Sequence, residues 1–290
     1  MKYDIIIIGS GPGGYVTAIR ASQLGFKVAV VEKENLGGIC LNWGCIPTKA
    51  LLKSAQVYNY IQHAEQYGIK VNSAEKDFEA VIKRSRNVAD GMSKGVHFLM
   101  KKNKIDIIDG FGKVLPNKKV LVTNADGIAS TYEADHIIIA TGARAKELPN
   151  LPIDGKKVIG YRQAMTIENQ PKKLIVVGSG AIGVEFAYFY QSMGTEVTIV
   201  EFLPNLVPLE DEEVSKQLER SFRKAGIKTM VNSEVLSVDI GGDGVKAVVK
   251  TKKGEEILEA DILLSAVGIK SNIENIGLEE VGISVDKDKI

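Results

Sequence analysis

Cysteine is almost missing from this chain: there are two in 290 residues, Cys40 and Cys45, five positions apart. In a reducing compartment so close a pair reads as catalytic or metal-binding before it reads as a structural staple. Metal comes second, because no further cysteine pair and no nearby histidine completes four ligands. A charge excess is missing too. Against 37 basic residues stand 36 acidic ones, a net charge of +1, which leaves a nucleic-acid partner unexpected. Long apolar runs are the third absence, none approaching the ~18 residues that span a bilayer. The N-terminus, Met1-Lys2-Tyr3-Asp4 followed by four isoleucines and Gly9, does not read as a signal peptide. Its apolar stretch is short, and Asp4 sits where a signal is basic or neutral. The expectation is a cytoplasmic chain, or a mature organellar form, with no membrane partner.

What is present is the composition of an ordinary soluble protein, 44% hydrophobic and 25% charged, long enough for two domains. Its dominant feature is one pattern used twice. The first copy is a strand from Ile5 to Ile8, the loop Gly9-x-Gly11-x-x-Gly14, a helix through Leu24, and a strand from Val28 to Val31 ending in Glu32. The second is a strand from Leu174 to Val177, the loop Gly178-x-Gly180-x-x-Gly183, a helix through Met193, and a strand from Val197 to Val200 ending in Glu201. The copies are 169 residues apart (178 − 9), and in both the last glycine precedes the acid by 18 (32 − 14 and 201 − 183). The first glycine permits a tight turn, the second lets backbone approach a pyrophosphate, and the third lets the helix pack on the strand. The helix N-terminus offers N–H groups to the phosphates, and the carboxylate accepts from ribose hydroxyls. One such loop is a weak signal; two, each with its acid, are a strong one.

Between the copies, Phe78 to Lys102 reads as a long amphipathic helix. Ile105 to Gly112, Lys119 to Thr123 and Ser130 to Ile139 read as strands, with turns at Pro116-Asn117 and Asp126-Gly127. Pro149 to Pro152 reads as a linker, and a β-rich tail is expected around Val245 to Leu264.

Two dinucleotide loops with a close cysteine pair behind the first suggest a disulfide that exchanges electrons with a bound redox cofactor. The cysteine segment, Gly37-Gly38-Ile39-Cys40-Leu41-Asn42-Trp43-Gly44-Cys45-Ile46-Pro47-Thr48-Lys49-Ala50-Leu51-Leu52, resembles the pyridine nucleotide–disulfide oxidoreductases that carry the pair in an FAD domain. Further matches are Gly110-Phe111-Gly112, Ala140-Thr141-Gly142, the second glycine loop running on to Glu185, and Ala266-Val267-Gly268. They fall in family order over essentially the whole chain. The resemblance implies an α/β fold of two Rossmann-like domains. An FAD-binding domain over 1–150 would hold the redox disulfide, an NAD-binding domain would span 151–270, and 271–290 would begin a return to the first domain. In the family a later strand with a Gly-Asp completes the FAD domain, and a C-terminal interface domain supplies a His–Glu pair. This chain stops at Ile290 before both, the pattern of a fragment lacking the interface domain, weakly active or inactive alone, with the homodimer confined to the full-length enzyme.

Residue by residue, Pro47 fits the first turn of a helix running through Tyr58, and Cys45 lies at or just before its N-terminus. The partial positive charge there can lower a thiol pKa from ~8.5 toward or below neutrality. Lys49 follows on the same face one turn later. By resemblance, Cys45 is the thiol that faces the flavin, Cys40 the one that exchanges with substrate, and Lys49 a cation beside the flavin ring with Glu185 as its partner. Without the resemblance, Glu185 reads equally as a first-turn glutamate complementing the helix dipole. The resemblance also has Glu32, Gly112, Thr141 and Gly142 holding FAD, and Glu201, Val235 and Gly268 holding the nicotinamide nucleotide. A carboxylate at Glu201 repels the 2′-phosphate of NADP, and no Lys or Arg occurs between it and Lys216, so the cofactor reads as NAD. His63, His97 and His136 match no motif and read as structural or surface residues. Trp43 reads as packing or substrate contact, and Leu209 to Glu213 as a solvated loop and helix start.

The cysteine segment is nearest to family members that oxidise protein-bound dihydrolipoyl groups with NAD. This implies lipoyl domains of 2-oxo acid dehydrogenase complexes, or of the glycine cleavage system, as partners. Two rivals stand beside that reading: a mercuric or other disulfide-substrate reductase of the same family, and a non-catalytic nucleotide-binding module.

Overall fold

Ile5 to Ile8 is an uninterrupted β-branched run, and such a run suits a parallel strand covered on both faces. The computed structural model describes residues 1–290 and places the run at the centre of its first sheet. Contacts divide the chain into two compact units. The first comprises residues 1–46, 86–144 and 270–290, and the second residues 47–85 and 145–269. Residues 47–85 thus group with the second glycine loop rather than with the first, across the boundary expected near residue 150.

The first unit holds β1 (Lys2–Ile8), α1 (Pro12–Gln23), β2 (Val28–Glu32) and α2 (Gly38–Asn42). Then come the start of α3 (Cys45–Gln62), most of α4 (Phe78–Lys102), and β3 (Asp106–Asp109), β4 (Phe111–Leu115), β5 (Lys119–Thr123) and β6 (Ala129–Ile139). Its six-stranded sheet has the order β3-β2-β1-β6-β5-β4, with β3, β2, β1 and β6 parallel and β5 and β4 added antiparallel. Alternation along the strands divides the core. Ile7, Val28 and Val30 meet Ala18 and Ala21 of α1 and Val96 and Met100 of α4. Ile6, Ile8, Ala29 and Val31 meet Val114, Val120 and Val122 of the antiparallel strands.

The single strand expected from Ile105 to Gly112 is two strands. Gly110, at φ +145°, breaks the run in a conformation open to glycine, and its missing Cβ would lie 2.6 Å from the Thr123 carbonyl oxygen.

The second unit repeats the theme after β7 (Ala143–Ala145), which forms a two-stranded ribbon with β16 (Ile269–Ser271). It holds β8 (Val158–Ile159), α5 (Tyr161–Ala164), β9 (Lys173–Val177), α6 (Ala181–Ser192), β10 (Glu196–Val200), α7 (Glu212–Lys224) and β11 (Lys228–Met230). Next come β12 (Glu234–Gly241), β13 (Gly244–Thr251), β14 (Gly254–Ala260) and β15 (Ile262–Ser265). A parallel sheet of order β11-β10-β9-β15-β8 packs Ile175, Val177, Val200 and Leu263 against Val235, Val245 and Val249 of an antiparallel sheet, β12-β13-β14. The β-rich tail therefore starts earlier than Val245, and its last strand, β15, returns to the parallel sheet. In the same unit Phe78 lies 6.1 Å and 6.2 Å, centroid to centroid, from Phe189 and Tyr190 of α6.

Candidate active site

The two glycine loops are built alike, and the three glycines of each serve different ends. Gly9 and Gly178 take φ of +102° and +96°, and a Cβ on either would lie 2.2 Å or 2.4 Å from the carbonyl oxygen of Ala140 or Ala266. A Cβ on Gly14 or Gly183 would lie 1.9 Å or 2.1 Å from the carbonyl oxygen of Gly9 or Gly178, so these glycines set how closely helix approaches strand. Gly11 and Gly180 differ. Their φ of −60° and −66° suits any residue, and a Cβ on either would meet nothing within 4 Å. Neither fold nor packing demands glycine there, whereas a ligand pressed against the backbone does. Neither α1 nor α6 has a side-chain cap, so their first N–H groups remain available to phosphate oxygens. The donors and the cleared space fit a dinucleotide pyrophosphate at both loops.

Each acid at a strand end ties down its own loop. One oxygen of Glu32 accepts from the Ser10 amide at 3.0 Å and the Ser10 hydroxyl at 2.5 Å, and the other from the amides of Lys33 and Glu34. Glu201 repeats this with the Ser179 amide at 2.7 Å, the Ser179 hydroxyl at 2.6 Å and the Leu203 amide at 2.8 Å. A ribose partner at either acid shares it with the protein. The second position of each loop, variable in the fingerprint, is a fully buried serine in both copies. Sequence reasoning missed these serines; their shared spacing of 22 residues from the acid was the available signal.

The remaining nucleotide candidates fall in two groups. Thr141 and Gly142 follow β6 beside the first loop, with Thr141 Cα 3.2 Å from where a Gly9 Cβ would stand. Their carbonyls accept from Asn272, at 3.0 Å from its side chain and 2.9 Å from its backbone. Gly268 lies just past Ala266 and Val267, which adjoin Gly178, and faces open space. Gly112 and Val235 belong to cores. A Cβ on Gly112 would meet Ile8 at 3.0 Å and Val31 at 3.2 Å, so packing already explains that glycine, and Val235 is buried in the second unit's cluster.

The cysteines sit on two successive helices, the first of which docks on the first glycine loop. Cys40 is the third residue of α2 and Cys45 the first of α3; both are free thiols, Cys40 half-buried and Cys45 exposed. The α2 helix docks on the nucleotide loop through Gly38, whose missing Cβ would lie 2.6 Å from Gly11 Cα, and through Gly37, whose amide donates to the Ser10 carbonyl at 3.1 Å. Asn42, buried, donates to the carbonyls of Leu36 at 3.0 Å and Gly38 at 2.9 Å and so closes α2. Gly44 passes close to α2, a Cβ there lying 3.1 Å from the Ile39 carbonyl oxygen and 3.3 Å from Cys40 Cα. Burial first, then a hydrogen bond to Cys45 and the Cys45 charge, push the Cys40 thiol up to about 11.

Within the second unit, burial raises the Glu185 carboxyl above its usual range while the charge of Lys49 opposes the shift. The structure brings these two expected partners together. Glu185 is the fifth residue of α6, whose first turn carries no acid, which removes the dipole-complementing reading. His63, His97 and His136 are exposed. Leu209 to Glu213 is solvated, with Asp211 capping α7 through the Glu213 amide at 2.8 Å. No helix is long and apolar enough to cross a membrane.

Known proteins are similar to this chain in sequence and fold. Residues 3–290 match the family model described as pyridine nucleotide-disulphide oxidoreductase. A dihydrolipoyl dehydrogenase of Rhizobium etli is 48% identical over 99% of this chain and 63% of its own length. The crystal structure of LpdA from Mycobacterium tuberculosis superposes with a TM-score of 0.90 at 28% identity, covering 99% of this chain and 63% of that one. The flavoprotein disulfide reductase RclA of Escherichia coli, as its Cu(II) complex, superposes at 0.85 and 27% identity, covering 100% and 62%. The chain thus spans about 60% of the length of the relatives it matches. With both nucleotide loops, the docked cysteine segment and a family match over nearly every residue, the chain belongs to the pyridine nucleotide-disulphide oxidoreductase family.

Proposed function

We propose that the protein containing this chain is an NAD-dependent, FAD-containing disulfide oxidoreductase that oxidises protein-bound dihydrolipoyl groups, working through Cys40 and Cys45. The observation that carries the reading is the seating of the cysteine helix on the first nucleotide loop, Gly38 against Gly11. It holds a thiol pair beside a dinucleotide site, where electrons can pass between them. The names of the curated relatives support the dihydrolipoyl substrate, and the buried carboxylate of Glu201 supports NAD over NADP.

In the oxidised enzyme the two cysteines form a disulfide. A dihydrolipoyl thiolate attacks Cys40 Sγ, the Cys40–Cys45 bond breaks, and Cys45 leaves as a thiolate at the N-terminus of α3, where helix N–H groups favour negative charge. The second lipoyl thiol then displaces Cys40 from the mixed disulfide, closing the lipoyl disulfide and leaving two electrons and two protons with the enzyme. FAD and NAD, when bound, would supply the onward two-electron acceptor chemistry. Gly9, Gly11, Gly14, Glu32, Thr141 and Gly142 would hold FAD, with Gly112 shaping the sheet behind it. Gly178, Gly180, Gly183, Glu201 and Gly268 would hold NAD, with Val235 in the wall behind. Lys49 and Glu185 would act as a charge pair tuning the reduced state. Lipoyl domains would be the partners, the whole protein a homodimer, and the compartment cytoplasmic.

Anaerobic NADH titration of the full-length FAD-loaded protein tests this. A long-wavelength absorbance band that disappears in Cys45→Ser, together with lipoamide-dependent NADH formation, supports the proposal. Flavin reduction with no such band and no lipoamide turnover overturns it.

A further inference from the structure

The link between the two thiols, Leu41-Asn42-Trp43-Gly44, is gripped from outside by a residue 44 positions from Asn42 in sequence. Arg86 of α4 donates from Nη2 to the Asn42 carbonyl, and its guanidinium carbon stands 4.4 Å from the centre of the Trp43 ring. A guanidinium at that distance is attracted to the ring face, and its planar fork holds stack and donor in one fixed geometry, whereas an ammonium is a rotatable point charge. Arg86 Nη1 is buried with no hydrogen-bond partner. Burial also lowers the Arg86 pKa against the opposing charge of Asp90. A cation held at this cost calls for a reason beyond fold, since buried donors are normally satisfied. Asn42 holds the link from its inner side through Leu36 and Gly38. Arg86 is its outer counterpart.

We propose that Arg86, stacked on Trp43 and bonded to the Asn42 carbonyl, is a positioning residue that sets the thiol–disulfide balance of Cys40 and Cys45. It acts through the link and touches neither sulfur. The pair interconverts when two glutathione thiols give up two electrons and two protons, reducing Cys40–Cys45 to two thiols and forming one glutathione disulfide. A link held by Arg86 keeps the thiols in register for closure. A link released from it lets them drift apart, favouring the dithiol. The inference rests on the redox reading of the pair.

The test is equilibration of the full-length FAD-loaded protein in glutathione buffers of graded ratio, trapping thiols with iodoacetamide and counting the label by mass. Arg86→Lys and Trp43→Leu should each shift the midpoint at least fivefold toward the dithiol. The double variant should shift it no further than the larger single, because both remove one contact. Trp43→Phe, which keeps an aromatic face, should stay near wild type. Melting curves run alongside separate unfolding from repositioning, and if Arg86→Lys fails to fold, the Trp43 pair of variants decides. A midpoint shifted less than fivefold toward the dithiol in either folded Arg86→Lys or folded Trp43→Leu overturns the proposal; an unshifted Arg86→Lys would leave only a charge effect. A wild-type pair that never closes in any buffer sinks the redox reading, and this role with it.

Discussion

Ser179 donates twice to one oxygen of Glu201, from its amide at 2.7 Å and its hydroxyl at 2.6 Å. The carboxylate that follows β10 therefore fixes the start of the glycine loop, and Ser10 stands in the same relation to Glu32. Removing one donor leaves a buried carboxylate short of a partner, which costs about 1–3 kcal/mol. Ser179→Ala should lose stability in that range by urea denaturation and weaken NADH binding. An unchanged denaturation midpoint would show that the hydroxyl contributes nothing to holding the loop.

Gly11 and Gly14 should respond oppositely to the same added methyl. Gly14→Ala places a carbon 1.9 Å from backbone oxygen, and overpacking of this kind costs about 1–3 kcal/mol or more. Gly11→Ala meets no protein atom, so its stability should stay within about 0.5 kcal/mol of wild type while flavin is lost during purification. A stable Gly11→Ala protein that retains flavin at wild-type stoichiometry would show that the open space is not the pyrophosphate seat.

Alkylation should discriminate the two thiols. With Cys40 pushed up to about 11, about one part in a thousand of it is thiolate at pH 8, so early label should fall on exposed Cys45. Replacing Cys45 by Ala removes the hydrogen bond and the charge but leaves the burial. The Cys40 pH–rate midpoint should then fall, yet remain above the ordinary 9.0. Peptide mapping that finds Cys40 labelled first would reverse the assignment.

Glu185 and Lys49 make a pH-dependent pair. Burial raises the folded-state Glu185 pKa, so its contribution to stability is fully present below the unfolded value of 4.5 and is lost as pH rises through the folded one. Lys49 opposes that shift. Lys49→Met should therefore raise the folded pKa further and steepen the loss of stability with rising pH just above 4.5. Parallel stability–pH curves for the two proteins would contradict the coupling.

Much of this was legible in residue order because its causes are local. Both strand–loop–helix–strand copies follow from β-branched runs, glycines at a turn, and a helix starting on uncapped amides. The long helix at Phe78–Lys102 follows from its periodicity alone. Other elements hid for identifiable reasons. β12 carries Glu234, Ser237, Asp239 and Gly241 on largely exposed positions, which masks a strand that only pairing with β13 makes regular. The five residues of α2 begin with glycine and are too few to hold a helix unaided; Asn42 and the contact of Gly38 with Gly11 hold them. Arg86 gave no sign, one basic residue among several on a mostly polar helix.

The sequence by itself determined the class of chemistry: two dinucleotide loops, each with its acid, and a cysteine pair next to the first. Those features depend on spacing within about thirty residues, where backbone geometry ties residue order to shape. Tertiary structure decided which glycines pack and which stand open, that burial raises the Cys40 thiol, and that serines anchor the loops through the acids. It alone joined Arg86 to Trp43. Such relationships arise when segments distant in sequence exclude water together. Burial and close contact then set charge, reach and proton affinity, none of which is written in local order.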